Sequence, residues 1–193
     1  MKRCSAEEAV ELIRPVDSLC LGFGPVQPCS LLAAMSKRED WEDLTAFGGM
    51  LLEPYPLFTK PGVHLLSGFF GPAERLLRNA GHDVSFLPGD FRRFKLFAER
   101  MHARIMAIAA TPPDSDGFLS LSIAAGATVD EIHRCGSDPD RLLVVETTPF
   151  LPRTLGLLPD HSHRVHVDEV DIMIETQRVP MELAEAEPTH IER

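Results

Sequence analysis

Unbroken apolar runs, more than alternating ones, mark the strands of this chain. Ile105-Met106-Ala107-Ile108-Ala109-Ala110 has no polar position and is too short to span a membrane, so it reads as a strand buried on both faces. Leu142-Leu143-Val144-Val145 reads the same way, and Leu19-Cys20-Leu21-Gly22-Phe23 is a shorter example. Further strands are expected over residues 44–52, ending in a loop around Gly48-Gly49, over 63–67 and, briefly, over 83–88. Val170, Ile172 and Ile174 alternate with Asp171, Met173 and Glu175, the pattern of an edge or half-buried strand. Between these runs the apolar spacing changes to three and four. Phe91, Phe94, Phe97 or Ala98, and Met101 form one stripe on a helix that starts after Asp90. Pro72 suits the first turn of a helix to Asn79 with Gly81 as its stop. Ser5 and Glu8 suggest a partial capping box for a helix through Ile13, and helices are also expected over 29–35 and 127–134. Strands alternating with helices predict one α/β domain, a mostly parallel sheet with flanking helices.

The loops that leave the buried strands carry the chemistry. After the first strand comes Gly22-Phe23-Gly24-Pro25-Val26-Gln27-Pro28, then a helix. Strand, glycine loop and helix in that order can present backbone N–H groups to an anion or a developing oxyanion. The segment is neither GxGxxG nor GxxxxGK, so it gives little support to a nucleotide, and a plain tight turn is the preferred account over ligand contact. After residues 105–110, Thr111-Pro112-Pro113 stops the strand and Asp114-Ser115-Asp116-Gly117 turns it. Glu146 ends the strand at 142–145, the position where open α/β sheets place ligand groups. Arg153, in an irregular connector, is a partner for a carboxylate or phosphate. Arg92, Arg93, Lys95 and Arg100 on the Phe91 helix are either an anionic-cofactor patch or a solvated face, the second being what a surface helix normally shows. His161, His163 and His166 alternate across a strand without an HExxH partner, so a polar turn feeding a strand is preferred to a metal site. Trp41 is expected as a core or edge anchor.

Length and charge narrow the class. The 193 residues fit one domain, taken as 1–181, with an acidic, frayed tail at 182–193. A formal charge of −10 argues against nucleic acid or an anionic membrane as the main partner. Glu7, Glu8 and Glu11 interrupt the N-terminal region, so neither a signal peptide nor a membrane span is read there. Cys4, Cys20, Cys29 and Cys135 show no CxxC, which suits reduced thiols and a cytoplasmic location.

Three segments in order resemble the N-terminal half of the acetyl-CoA hydrolase/transferase family, which includes acetate, succinate and 4-hydroxybutyrate CoA-transferases. Gly22, Gly24, Pro28, Leu31 and Ala33-Ala34 follow its glycine loop and helix. Thr111-Pro112-Pro113-Asp114, Asp116-Gly117-Phe118 and Ser120-Leu121-Ser122-Ile123 follow its proline–aspartate turn and serine segment. Glu146, Thr148, Leu151-Pro152-Arg153-Thr154 and Gly156 follow the third. Thr148 stands where the family has asparagine, Leu151 where it has methionine, Thr111 where it has serine and Ser122 where it has glycine.

The resemblance implies a CoA-transferase-like domain with coenzyme A as a substrate and no metal. Its partners would be an acyl-CoA, a small carboxylate (or water), and a C-terminal catalytic domain or subunit that supplies the nucleophilic glutamate. A homo- or hetero-oligomer is expected. Gly22, Gly24 and Gln27 would form the substrate loop, Pro113, Asp114 and Gly117 a cleft-lining turn, and Glu146, Thr148 and Arg153 the opposite wall. Glu146, at a strand end, is expected to support the site without acting as nucleophile. The rival expectation is a non-catalytic binding or regulatory subunit that retains the fold.

Overall fold

The computed structural model describes residues 1–123, 126–157 and 161–180; the expected tail at 182–193 lies outside the described residues. In chain order the strands are β1 (Lys2–Cys4), β2 (Val16–Leu21), β3 (Asp43–Gly48), β4 (Val63–Ser67), β5 (Val84–Phe86), β6 (Ile105–Ala110), β7 (Phe118–Ser120), β8 (Leu142–Thr147), β9 (Gly156–Leu157), β10 (His161–Ser162), β11 (Arg164–His166) and β12 (Ile172–Glu175). The helices are α1 (Ala6–Val10), α2 (Cys29–Met35), α3 (Pro72–Asn79), α4 (Phe91–Met101) and α5 (Val129–Gly136).

Among the described residues the main sheet has eight strands in the order β1-β12-β8-β6-β2-β3-β4-β5. Every neighbouring pair in it is parallel. Two antiparallel pairs, β7 with β11 and β9 with β10, sit apart from it. From β2 the chain moves outward through β3, β4 and β5, then returns to the other side of β2 for β6, β8 and β12. The reversal lies between β2 and β6, and open α/β sheets bind their ligands outside the C-terminal strand ends at such a point.

The unbroken apolar runs are explained by a sheet covered on both faces. Leu19, Leu21, Ile105, Ala107, Val144, Ile172 and Ile174 pack with α1, α2 and α3 residues such as Val10, Leu31, Leu32 and Leu77. Their neighbours Cys20, Met106, Ile108, Leu143, Val145 and Met173 pack with Phe94 and Ala98 of α4 and Ile132 of α5. The same alternation corrects the expectation for β12. It lies between β1 and β8, and Ile172, Met173 and Ile174 are all buried. Met173 occupied an apparently polar slot in the pattern, yet its side chain faces the second core. The edge belongs instead to β1, whose Lys2-Arg3-Cys4 carries no apolar signal.

Local rules set the helix starts. Ser5 accepts from Glu8 N–H (3.1 Å) and Glu8 accepts from Ser5 N–H (2.8 Å), so the capping box is complete. The helix it starts is shorter than the spacing predicts. It ends at Val10, and the N–H groups of Leu12 and Ile13 donate three residues back, a tightened last turn before Pro15. Asp90 caps α4 by accepting from Arg92 and Arg93 N–H. Trp41 is buried with the Arg38 guanidinium 4.5 Å from its ring centroid, a core anchor as expected.

One buried ion pair fastens α5 to the sheet. Arg141, just before β8, contacts the Glu131 carboxylate and donates to Ala103 O at 2.7 Å, and both side chains are nearly sealed from solvent. Removing Glu131 leaves the buried Arg141 guanidinium with Ala103 O and no counter-charge. Glu131→Ala should therefore lower the urea-unfolding free energy by about 3–5 kcal/mol, and a loss below about 1 kcal/mol would show that the pair contributes no such constraint.

Candidate functional site

The glycine loop leaves β2 under tight backbone constraints. Gly22 N–H donates to Ala107 O on β6 at 2.9 Å. A Cβ at Gly22 would lie 2.4 Å from Val26 O and 2.8 Å from the Ile108 side chain, so the close approach itself demands glycine. Gly24 takes φ +54° and opens the 3₁₀ turn Gly24–Val26. Its N–H is directed at Gly49 O, at 3.5 Å. Phe23 anchors the loop from below, edge-on to Phe47, Phe69 and Phe94 with centroids 5.8–6.2 Å apart. Gln27 is buried, and its amide nitrogen donates to Gly49 O and Met50 O. Among the described residues its Oε1 has no hydrogen-bond partner.

The loop runs into α2, whose N-cap, Pro28, offers no side-chain acceptor. Glu146 supplies the acceptor from across the fold. It lies near the C-terminal end of β8, in register with Ala109 of β6 and Ile174 of β12. Its carboxylate accepts from Ser30 N–H at 3.0 and 2.9 Å and from Leu31 N–H at 3.0 Å. The backbone donors that strand, glycine loop and helix present are thus held by an anion of the chain's own. Burial pushes the Glu146 carboxyl above the usual carboxylate range, and the amides of Ser30 and Leu31 oppose that shift. Ser30 Oγ donates to Thr176 Oγ1 at 3.0 Å, which ties the same helix turn to the end of β12.

Thr148 follows directly. Its N–H donates to Ala110 O at 3.0 Å and its hydroxyl to Arg178 O at 2.9 Å. The Arg178 guanidinium donates to Cys29 O at 3.3 Å and pairs with Glu53 at 2.7 Å. Gln27, Cys29, Glu146, Thr148 and Arg178 therefore surround one narrow recess at the C-terminal ends of β6 and β8. Cys29 Sγ lies 3.1 Å from the Tyr55 hydroxyl, and burial raises the pKa of both groups. Neither Cys29 nor Arg178 is singled out by the sequence reading. Their partners Tyr55 and Glu53 are distant along the chain, so no local spacing announces them.

Pro113, Asp114, Gly117 and Arg153 gather elsewhere, around the turn that follows β6. Asp114 accepts from Phe118 N–H at 2.8 Å and Asp116 N–H at 3.0 Å, and these bonds, with Arg153 beside it, hold its carboxyl below the usual range. Arg153 reaches Asp114 at 3.1 Å, Pro112 O at 2.7 Å and Phe118 O at 3.2 Å. Gly117 has φ +84°, and a Cβ there would lie 2.7 Å from His166 Nε2. Ser120 Oγ accepts from Thr154 N–H, while Ser122 Oγ donates to Pro152 O. The 151–154 and 111–122 segments are stitched together.

The structure thus forms two groups. Gln27 meets Glu146 and Thr148 around one recess, which Gly22 and Gly24 do not line, whereas Arg153 meets Asp114 at the turn that follows β6. Of the basic α4 face, Arg92 is paired with Asp90 and Lys95 with Asp130. Among the described residues no group of three metal-ligating side chains converges, and no helix is long and apolar enough to cross a membrane.

A crystal structure of RipA from Yersinia pestis shares this fold. It has a TM-score of 0.82 at 22% identity over 98% of this chain and 45% of that one. A 4-hydroxybutyrate CoA-transferase from Porphyromonas gingivalis matches with a TM-score of 0.61 at 17% identity, over 94% of this chain and 41% of its own. The fold is CoA-transferase-like. A decarboxylase AibA/AibB variant shares the CoA-transferase-like fold at a TM-score of 0.56 and 14% identity, and there the match covers 82% of the other chain. In sequence, the chain is 25% identical to the butyryl-CoA:acetate CoA-transferase of Anaerostipes caccae over 182 residues, which is 89% of this chain and 38% of that protein. No family model matches. The chain spans well under half the length of the transferases it resembles.

Two variants test the loop and its anchor. Gly22→Ala forces a methyl against a backbone carbonyl and should cost about 1–3 kcal/mol in urea unfolding. A loss under about 0.5 kcal/mol would show that the loop yields freely. For Glu146, a folded-state pKa above the unfolded value means that its contribution is fully present below the unfolded pKa and is lost as pH rises through the folded one. Glu146→Gln cannot ionise, so the stability of the wild type relative to this variant should fall as pH rises above the ordinary carboxylate value of 4.5. A difference that stays flat or grows with pH would contradict the direction of the shift.

Proposed function

We propose that this chain forms the acyl-substrate side of a CoA-transferase or acyl-CoA hydrolase of the acetyl-CoA hydrolase/transferase family. It would move CoA between an acyl-CoA and a small carboxylate, or to water, together with a catalytic domain or subunit carrying a glutamate. The carrying observation is the alignment with butyryl-CoA:acetate CoA-transferase along 89% of this chain. The CoA-transferase-like fold supports it, as do the meeting of Gln27 with Glu146 and Thr148 and the bonding of Arg153 to Asp114.

In that reaction a glutamate carboxylate attacks the thioester carbonyl, and the tetrahedral oxyanion collapses by expelling CoA thiolate, leaving a mixed anhydride. The thiolate then attacks the enzyme carbonyl of the anhydride and releases the donor's carboxylate, giving an enzyme–CoA thioester. The acceptor carboxylate reverses these steps; water instead gives hydrolysis. The chemistry needs fixed donors at the oxyanion and a site closed to bulk water. On this reading Gly22, Gly24 and Gln27 form the substrate loop, Pro113, Asp114 and Gly117 line the cleft, and Glu146 and Thr148 form its opposite wall, while Arg153, expected on that wall, instead braces the cleft-lining turn through Asp114. Glu146 is held by two helix amides and is unsuited to attack. Ile123, Phe150, Leu155 and Leu157 are exposed large apolar residues, as expected of a surface that a second half covers.

A second reading, a binding or regulatory subunit without catalysis, draws on Thr148, whose hydroxyl is taken by Arg178 O where the family has an asparagine amide. A companion chain that carries the glutamate favours the enzyme. The 193-residue chain alone should show no acyl-CoA turnover and, after incubation with butyryl-CoA and borohydride, no mass change. A stoichiometric mass change abolished by Glu146→Gln would overturn the division of labour and make this chain the catalyst.

A further inference from the structure

Arg164 differs from Arg153. Arg153 is fully engaged by Asp114 and two backbone carbonyls. Arg164, on β11, has its guanidinium carbon 4.0 Å from the centroid of the Phe118 ring, and among the described residues it makes no ion pair. The stacking fixes the plane of the guanidinium and leaves its N–H edge available, the geometry in which arginine receives a carboxylate or phosphate. Phe118 is itself positioned by β7, which pairs with β11 through Leu119↔Val165 and Phe118↔His166.

The guanidinium lines a cavity of about 300 Å³ bounded by Asp114, Ser120, Arg153, Thr154, Leu155, Gly156, Leu157 and Arg164. The walls differ in character. Ser120 and Thr154 are joined to each other by hydrogen bonds, so they present a settled polar floor. Leu155 and Leu157 are 76% and 74% exposed, more than the other large apolar residues of the described chain. Asp114 is the one carboxylate in the lining; Arg153 pairs with it at 3.1 Å, the amides of residues 116 and 118 donate to it, and the Arg164 charge acts on it without forming an ion pair. Arg164 leaves the cavity with a net positive charge in a protein of formal charge −10.

We propose that this cavity binds a small organic anion, its carboxylate or phosphate on Arg164 and its apolar stem against Leu155 and Leu157. The inference rests on the proposed CoA chemistry for its choice of probes, in which the anion comes either from the acyl acid or from a phosphate of CoA.

Isothermal titration of the 193-residue chain with butyrate, CoA and pantetheine at two ionic strengths separates the sources. Butyrate binding assigns the carboxylate; binding of CoA without pantetheine assigns the phosphate. In either case binding should weaken with salt, and Arg164→Gln should raise Kd about tenfold. Arg164→Lys, which keeps the charge, should retain more affinity than Arg164→Gln and guards against a loss that reflects misfolding alone. Absence of binding by butyrate and CoA up to about 10 mM, or an unchanged Kd in Arg164→Gln, overturns the site. The readout is binding and not turnover. A chain that binds the anion but gains no activity with any glutamate-bearing companion would overturn the proposed function and leave this site standing.

Discussion

The carboxylate of Glu146 against the first turn of α2 holds the candidate site together. Three elements distant in sequence meet there: the helix that follows the glycine loop, the C-terminal end of β8, and, through Ser30 and Thr176, the end of β12. Taking a carboxylate out of water is costly unless donors replace the solvent. The donors here are amides that a proline N-cap leaves without a side-chain acceptor. Each side relieves the other's desolvation. The loop from Gly22 to Pro28 is consequently fixed at both ends, by Gly22 N–H on β6 and by Glu146 at the start of α2.

The second constraint is the stitching of the 111–122 turn to residues 152–154. Within the turn Asp114 N–H donates to Phe118 O at 2.9 Å and the Thr111 hydroxyl to Pro112 O at 3.1 Å, and Arg153 adds a second donor to each of these carbonyls while pairing with Asp114. The two segments look like separate motifs in the sequence but are one assembly in space. Ser122 fits the same picture. It adopts φ +57° at a position where the family resemblance calls for glycine, and the side chain that departs from that pattern donates to Pro152 O. The strain of a left-handed serine is offset by a bond that glycine has no atom to make.

Much of this was legible from residue patterns because the main strands are buried on both faces. Unbroken apolar runs located β2, β6 and β8, proline and glycine located the turns, and Asp90 and Pro72 located helix starts. What stayed hidden was set by distant partners. β1 is polar and becomes a strand only because β12 offers it an edge. β12 alternates as a half-covered strand does, yet methionine fills its second face and α5 packs that side of the sheet. Cys29, Arg178 and Arg164 gain their environments from Tyr55, Glu53 and Phe118, and no periodicity encodes those pairings.

These two constraints bear on how the chemistry would be divided. A strand, glycine loop and helix suggest donors for an oxyanion, but the Ser30 and Leu31 amides already serve Glu146, and Gly22 N–H serves β6. Gln27 Oε1, the unsatisfied buried atom at this recess, is an acceptor and would meet a donor, not an oxyanion. The recess, with room for about one water, is therefore better suited to a hydrogen-bond donor than to developing negative charge. On the proposed reading, the donors that stabilise the tetrahedral intermediate would come chiefly from the glutamate-bearing half, while this chain supplies shape, a fixed wall and a local positive charge at Arg164. Such a division accounts for a rigid loop whose Gly22, Ser30 and Leu31 amides are already bonded, in a chain that leaves Ile123, Phe150, Leu155 and Leu157 exposed: the loop is finished as a support, and the exposed apolar surface is not finished as a site.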